Sequence, residues 1–347
     1  MTFTIDTETH SQAISDNSCL KLTAGLDSGN GGVKFASNAQ EIYIPSYVLE
    51  LQKTPADIPT SGFCKYVTGD RFALTGKEWI GGTSAVEFSP LGAKRVTDTA
   101  DGKIQFALPL LLSALTSLPY YKEIDLSLAV SIHDAETLGD ELQNALQGTH
   151  IVQLGNNPIS TIVRVRVLKV MAEGSAALIE NRSSISITGT TLVLDVGNGT
   201  TIGSIYGAGG KRIDSKMLPM GVENLIDRIC RNIEMRRFLT GREGDRHLIR
   251  KGIENRSFNY GSTGFNFEGI YRTEIRAWIS EVLAPITSFL NQWSASADAK
   301  LAIGGGCKLP LLDQALTQKG YVLASDPVWS NARGLRTIAQ KLSGVEG

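Results

Sequence analysis

Two segments of the chain share one pattern. In "LTAGLDSGNGGVKFA" (22–36) an apolar, strand-like run ends at Asp27, a turn of glycine and small polar residues follows, and a second run returns carrying Lys34. In "TTLVLDVGNGTTIGSIYGAG" (190–209) the same order recurs around Asp195. Each turn reads Asp-x-Gly-Asn-Gly. Residues that tolerate positive φ build tight hairpins, and one such hairpin is commonplace. Its recurrence at the ends of two apolar strands is an internal repeat, so the chain reads as two related halves.

Hydrophobic patterning fills in the rest. A near-continuous apolar run, "IDLSLAVSI" (124–132), predicts a strand buried on both faces, and "STIVRVRVLKVM" (160–171) alternates like a strand. Residues 41–51 read as one further strand. Helices are expected at 102–118, 136–148, 172–180, 221–235, 272–293 and 334–342, and "AKLAIGGGCKLPLLDQAL" (299–316) reads as strand, triple glycine, helix. Strands alternating with helices give an α/β fold with mixed sheets that contain hairpins. The division expected is a mobile tail over 1–20, a first domain over 21–180 with a small inserted subdomain at about 41–101, and a second over 181–330 with a helical insert at about 221–290. A last helix, 331–345, packs back on the first domain. At 347 residues the chain is long enough for two domains.

Charge and cysteines narrow the function. With 34 basic and 35 acidic residues the formal net charge is -1, without the basic excess of a direct nucleic-acid binder. The Arg-rich stretch 231–251 reads as a solvated helix face of mixed charge. Four scattered cysteines, Cys19, Cys64, Cys230 and Cys307, form no metal-ligand spacing and suit free thiols in a reducing cytoplasm. The most apolar run, 106–118, is too short to span a membrane, and the polar first twenty residues do not read as a signal peptide.

A glycine-rich hairpin turn exposes backbone N–H groups that can converge on phosphate oxygens. A lysine nearby adds a point charge, and an aspartate at the strand end can hold magnesium through water. Two such turns can clamp a polyphosphate from both sides. Neither is a Walker A loop, and no GxGxxG opens a helix directly after a strand, so a dinucleotide-binding fold is not expected.

The arrangement resembles the actin superfamily of ATPases, over about residues 22–343. The motifs are "GLDSGNGGVK" and "VLDVGNGTT" for the two phosphate loops, "LAIGGGCKLP" for the adenosine element, and "VLKVMAEGSAAL" and "WSNARGL" for the linking segments. Within the superfamily, "KVMAEGSAA" and "NARGL" are most similar to the plasmid-segregation actins, ParM and its relatives. The resemblance implies the duplicated, ribonuclease H-like actin fold, with two domains around a nucleotide cleft. It implies ATP or GTP hydrolysis with Mg2+. Asp27 and Asp195 would hold the metal through water, and Glu173 would orient the attacking water. Ser28, Gly29, Asn30, Gly31 and Lys34 would meet the β- and γ-phosphates, opposed by Gly197, Asn198, Gly199 and Thr200. Gly304, Gly305, Gly306 and Lys308 would receive the adenosine. Asn30 stands where many members carry Ser or Thr, and Asn198 where eukaryotic actin carries Asp, which places more of the chemistry on Glu173. The implied partners are further copies of the chain in a filament and a DNA-binding adaptor protein, with no direct nucleic-acid contact and no membrane. A sugar-type kinase or a chaperone-like or reactivase-like ATPase of the same superfamily is the alternative.

Overall fold

The structure is a computed structural model and describes residues 19–98, 101–185 and 188–344. Most of the expected 1–20 tail therefore lies outside the described residues, and Cys19 and Leu20 already belong to the first strand.

Two sheets carry the chain. The first contains β1 (Cys19–Ser28), β2 (Gly32–Ser37), β3 (Glu41–Pro45), β4 (Tyr47–Leu51), β5 (Phe63–Gly69), β6 (Glu78–Gly81), β7 (Lys94–Arg95), β8 (Glu123–Ile132), β9 (Gly148–Leu154) and β10 (Thr161–Ala172). Their order is β3-β2-β1-β8-β10-β9-β5-β6-β4-β7. The second contains β11 (Thr191–Val196), β12 (Thr201–Tyr206), β13 (Arg212–Leu218), β14 (Ala299–Ile303) and β15 (Val322–Leu323), in the order β13-β12-β11-β14-β15. The sequence repeat is a structural repeat. In each sheet an antiparallel three-stranded meander, β1–β2–β3 or β11–β12–β13, is extended by a parallel strand beside its first member, β8 or β14. Asp27 and Asp195 end the equivalent strands. Parallel strands are buried on both faces, which is why β1, β8 and β11 read as continuous apolar runs.

Helices α1 (Thr83–Phe88), α2 (Gly102–Gln105), α3 (Ala107–Leu115), α4 (Ala135–Leu146) and α5 (Ala177–Glu180) lie between the strands of the first half and the start of the second. Every residue of α3 is buried, and with Leu142 and Leu146 of α4 it packs on one face of the ten-stranded sheet. The second half adds α6 (Val222–Arg231), α7 (Ile233–Phe238), α8 (Arg246–Glu254), α9 (Glu268–Trp278), α10 (Ala284–Asn291), α11 (Leu312–Gln318) and α12 (Ser330–Ser343). Helices α6 and α8 to α11 bury one face of the smaller sheet. The last helix returns to the first sheet, where Leu335 and Ala339 meet Ala129 and Ala176. Its approach depends on Gly25, where a Cβ would stand 2.1 Å from the Ala332 carbonyl oxygen.

Several expected elements are divided, each for a local reason. The strand expected at 41–51 breaks at Ser46, after Pro45, and the buried Ser46 hydroxyl donates to the Gly29 carbonyl at 2.6 Å. The helix expected at 221–235 ends at Asn232, whose side chain caps α7 by accepting from Glu234 N–H at 2.9 Å. The single helix expected at 272–293 passes through a π-helical turn, Ile279–Leu283, just before Pro285. Proline has no N–H to give to the ladder, and such a register slip accommodates it. The helix expected over 172–180 is a strand end and a turn as far as 176; Gly174 at φ +79° breaks the run, and only Ala177–Glu180 is helical. The Arg-rich stretch contains α7 and the start of α8, and three of its arginines are paired: Arg231 with Glu243, Arg246 with Glu223 and Arg250 with Glu223.

Candidate functional site: two carboxylate-ended hairpins facing one cleft

Pairing within the first hairpin sets Asp27 directly opposite Lys34. The Lys34 Nζ lies 2.9 Å from Asp27 Oδ2. On its other side Asp27 Oδ1 accepts from Ser131 Oγ, at the end of β8, and from Asn331 Nδ2, at the start of α12, both at 3.1 Å. Burial works to raise the Asp27 carboxyl. The Lys34 ammonium, the Asn331 amide and the more distant Lys103 overcome it and hold the group below the ordinary carboxylate range.

Asp195 occupies the same place in the second hairpin, but its cross-strand neighbour is Ile202 rather than a cation. Burial raises its carboxyl first, the charges of Asp27 and Glu173 add to that, and Lys34 and Lys103 only partly offset them. Its pKa is pushed up to about 7. Glu173 follows directly on β10, beside the parallel strand end of β8, with its N–H on the Ile132 carbonyl at 3.1 Å. Its carboxylate is ion-paired with Lys103, and both side chains are largely shielded from solvent. Gly174 turns the chain so closely past Asp195 that a Cβ there would lie 3.7 Å from Asp195 Oδ2. Three carboxylates from three strand ends thus lie together with two lysines.

The two turns lie against each other. A Cβ at Gly31 would lie 2.7 Å from the Asn198 Cβ, and one at Gly199 would lie 2.9 Å from Asn30 Nδ2. The second turn is closed by Gly197 N–H donating to the Thr200 carbonyl at 2.9 Å. Its Gly197 and Asn198 carbonyls accept from Val222 and Glu223 N–H, at 3.1 and 2.9 Å, which fixes the turn to the start of α6. Asn198 Oδ1 accepts from Arg250 Nη2 at 2.9 Å. Ser28 ends β1, buried.

The triple glycine sits under the end of β11. Gly304 has φ +81°, and a Cβ there would stand 2.4 Å from Asp195 Oδ1. Gly306 presses on Val196, whereas Gly305 is more open. Lys308 is half-exposed and lies 3.4 Å from Asp326. The structure therefore gathers Asp27, Lys34, Glu173, Asp195, Gly304 and both turns, and leaves Lys308 beside a carboxylate at the rim.

Sequence reasoning missed Lys103, Ser131, Ser46, Arg250 and Tyr43, whose hydroxyl donates to the Gly31 carbonyl at 3.2 Å. A lone lysine at the start of a short helix, or a serine closing an apolar strand, carries no spacing signal. Asn331 lay within the singled-out "SNAR" segment.

Among the described residues no group of three His, Cys, Asp or Glu is arranged to grip a metal directly. The raised Asp195 carboxyl beside Asp27 and Glu173 is nonetheless the setting in which a hydrated divalent cation relieves like-charge repulsion. The donor set fits magnesium held through water and phosphate oxygens.

Comparison with known proteins agrees with this geometry. Residues 25–175 match the family described as "Actin like proteins N terminal domain". No curated protein matches the chain. Among solved structures, the archaeal actin homologue Ta0583 is similar at TM-score 0.72 and 17% identity, over 93% of this chain and 99% of that one. Bacillus thuringiensis ParM with ATP is similar at TM-score 0.67 and 16% identity, over 95% and 100%. Apo pSK41 ParM is similar at 0.65 and 19% identity, over 93% and 98%. The fold is actin-like.

Proposed function

We propose that this actin-like chain is a nucleotide-dependent ATPase that assembles into filaments. The observation that carries the reading is the convergence of Asp27, Asp195 and Glu173, from three strand ends, beneath two facing glycine turns. Structures of Bacillus thuringiensis ParM with ATP, AMPPNP and ADP, which share the fold, support a nucleotide in such a cleft. A non-polymerisable mutant made of the similar pCBH ParM supports self-assembly as the behaviour of the wild type.

In this reading the N–H groups of Gly29 to Gly31 and of Asn198 and Gly199 receive the phosphates of ATP or GTP, with Gly197 closing the second turn and Lys34 supplying charge. Glu173 accepts a proton-side hydrogen bond from the attacking water and holds it in line, so catalysis is positioning and electrostatics rather than covalent chemistry. Lys103 fixes the Glu173 carboxylate. Magnesium, held through water by Asp27 and Asp195, would neutralise charge on the phosphate oxygens. Closure of the two turns on the γ-phosphate would favour assembly, and its loss would favour release, a two-state switch. A DNA-binding adaptor linking filaments to plasmid DNA, and a cytoplasmic setting, belong to the same reading. No helix among the described residues is long and apolar enough to cross a membrane.

The test is phosphate release from ATP and magnesium by the wild type and by Glu173→Ala. Release should fall by about 10²- to 10⁴-fold while a fluorescent ATP analogue still binds. Unchanged release would remove Glu173, and with it this mechanism.

A further inference from the structure

Strand β13 (Arg212–Leu218) forms one edge of the smaller sheet and, among the described residues, is paired only with β12. All five residues from Ile213 to Met217 are exposed, and Ile213 and Met217 are 49% and 45% accessible. A long exposed edge is a template for strand addition, and proteins usually blunt it with charge or a bulge. β13 has such an irregularity at Ile213, which has no partner on β12, and is regular from Asp214 to Leu218, where the charges have a specific order. If a second copy is laid antiparallel about a two-fold axis through Ser215, Ile213 faces Met217, Asp214 faces Lys216, and Arg212 faces Leu218. Each pair occurs twice, once on either side of the axis. Aliphatic pairs and opposite charges directly across a ladder are the stabilising combinations.

Other registers match less of the strand: an axis through Ile213 opposes Arg212 to Asp214 but centres on the residue at which β13 bulges against β12. An axis through Asp214 opposes Asp214 to itself and Arg212 to Lys216. An axis through Lys216 opposes two lysines, and a parallel pairing sets every charge against its own kind. Meanwhile Asp214 Oδ1 accepts from the Ser215 N–H at 2.8 Å, which covers that backbone donor locally. Asp214 can exchange this contact for Lys216 of a second copy when the edge is occupied.

We infer that β13 is a self-complementary edge through which two copies of this chain join side by side, making one continuous sheet across a two-fold axis. The pairing needs no nucleotide, so it stands or falls separately from the ATPase reading.

Crosslinking tests it on the full chain. Cys19 is the exposed thiol, and Cys64, Cys230 and Cys307 are buried, so Cys19→Ser provides the background. Ser215→Cys in that background sets two thiols across the axis, where directly opposed residues have Cα atoms about 4.5–5.5 Å apart, within disulfide reach. Mild oxidation, with and without ATP and magnesium, should give a covalent dimer in both conditions. Asp214→Lys or Lys216→Asp alone should lower the dimer yield at least tenfold, and the two together should restore it. Thermal melts of each variant report that it is folded. No dimer in the absence of nucleotide, or a double variant as poor as the single ones, would overturn the inference.

Discussion

Asp195 should cost the ligand-free protein stability, in a pH-dependent way that can be measured. Its carboxyl is raised from an ordinary 3.8 to about 7, chiefly by burial and then by Asp27 and Glu173. Between those two values the folded chain keeps a proton that the unfolded chain releases, so stability falls as pH rises across that window and the whole penalty is present above about 7. Some three pH units at 1.36 kcal/mol each set a ceiling of about 4 kcal/mol. Asp195→Asn removes the ionisation while keeping the side chain's size. Without nucleotide or divalent cations, the variant should match the wild type near pH 3, below the unfolded value of 3.8, and exceed it by about 2 to 4 kcal/mol at pH 8. Asp27 is held low, so its contribution runs the other way, but both proteins have it and the difference between them isolates Asp195. Urea unfolding at a series of pH values reads the difference directly. Adding ATP with magnesium should then stabilise the wild type and not the variant, reversing their order. A difference that does not change with pH, or a wild type that is the more stable at pH 8, would refute the electrostatic account of the cleft.

The remaining predictions concern the supports of the site. Lys103→Met releases the Glu173 carboxylate from its ion pair, so phosphate release should drop roughly tenfold or more with little change in nucleotide affinity; a loss confined to affinity would assign Lys103 to binding instead. Gly25→Ala drives a methyl group onto the Ala332 carbonyl, 2.1 Å from the Cβ position. It should lower stability by about 3 kcal/mol, seen as an earlier melt in the far-ultraviolet, and an unshifted melt would show that α12 yields without cost.

Much of this architecture was legible because the strands that matter are buried on both faces. β1, β8 and β11 announce themselves as apolar runs, and the two turns mark where each first strand stops. Asp27 opposite Lys34 follows from hairpin register alone. What the sequence concealed depends on contacts between distant segments. Ser131 and Asn331 meet Asp27 only because β8 lies beside β1 and α12 returns over Gly25. Lys103 reaches Glu173 across 70 positions of chain. The divided helices were hidden because Asn232 acts as a cap within an amphipathic run, and because Pro285 was absorbed by a π turn rather than ending the helix. Glu173, expected on a helix, sits on a turn because Gly174 takes a positive φ.

The most direct test of the central claim is right-angle light scattering of the purified protein with ATP, GTP, ADP or no nucleotide, each with magnesium, while phosphate is followed in the same tube. The account predicts a rise with ATP or GTP that decays as phosphate accumulates, and a rise that persists in Glu173→Ala. Flat scattering alongside steady phosphate release would contradict filament assembly and return the chain to the kinase or chaperone-like classes of the superfamily.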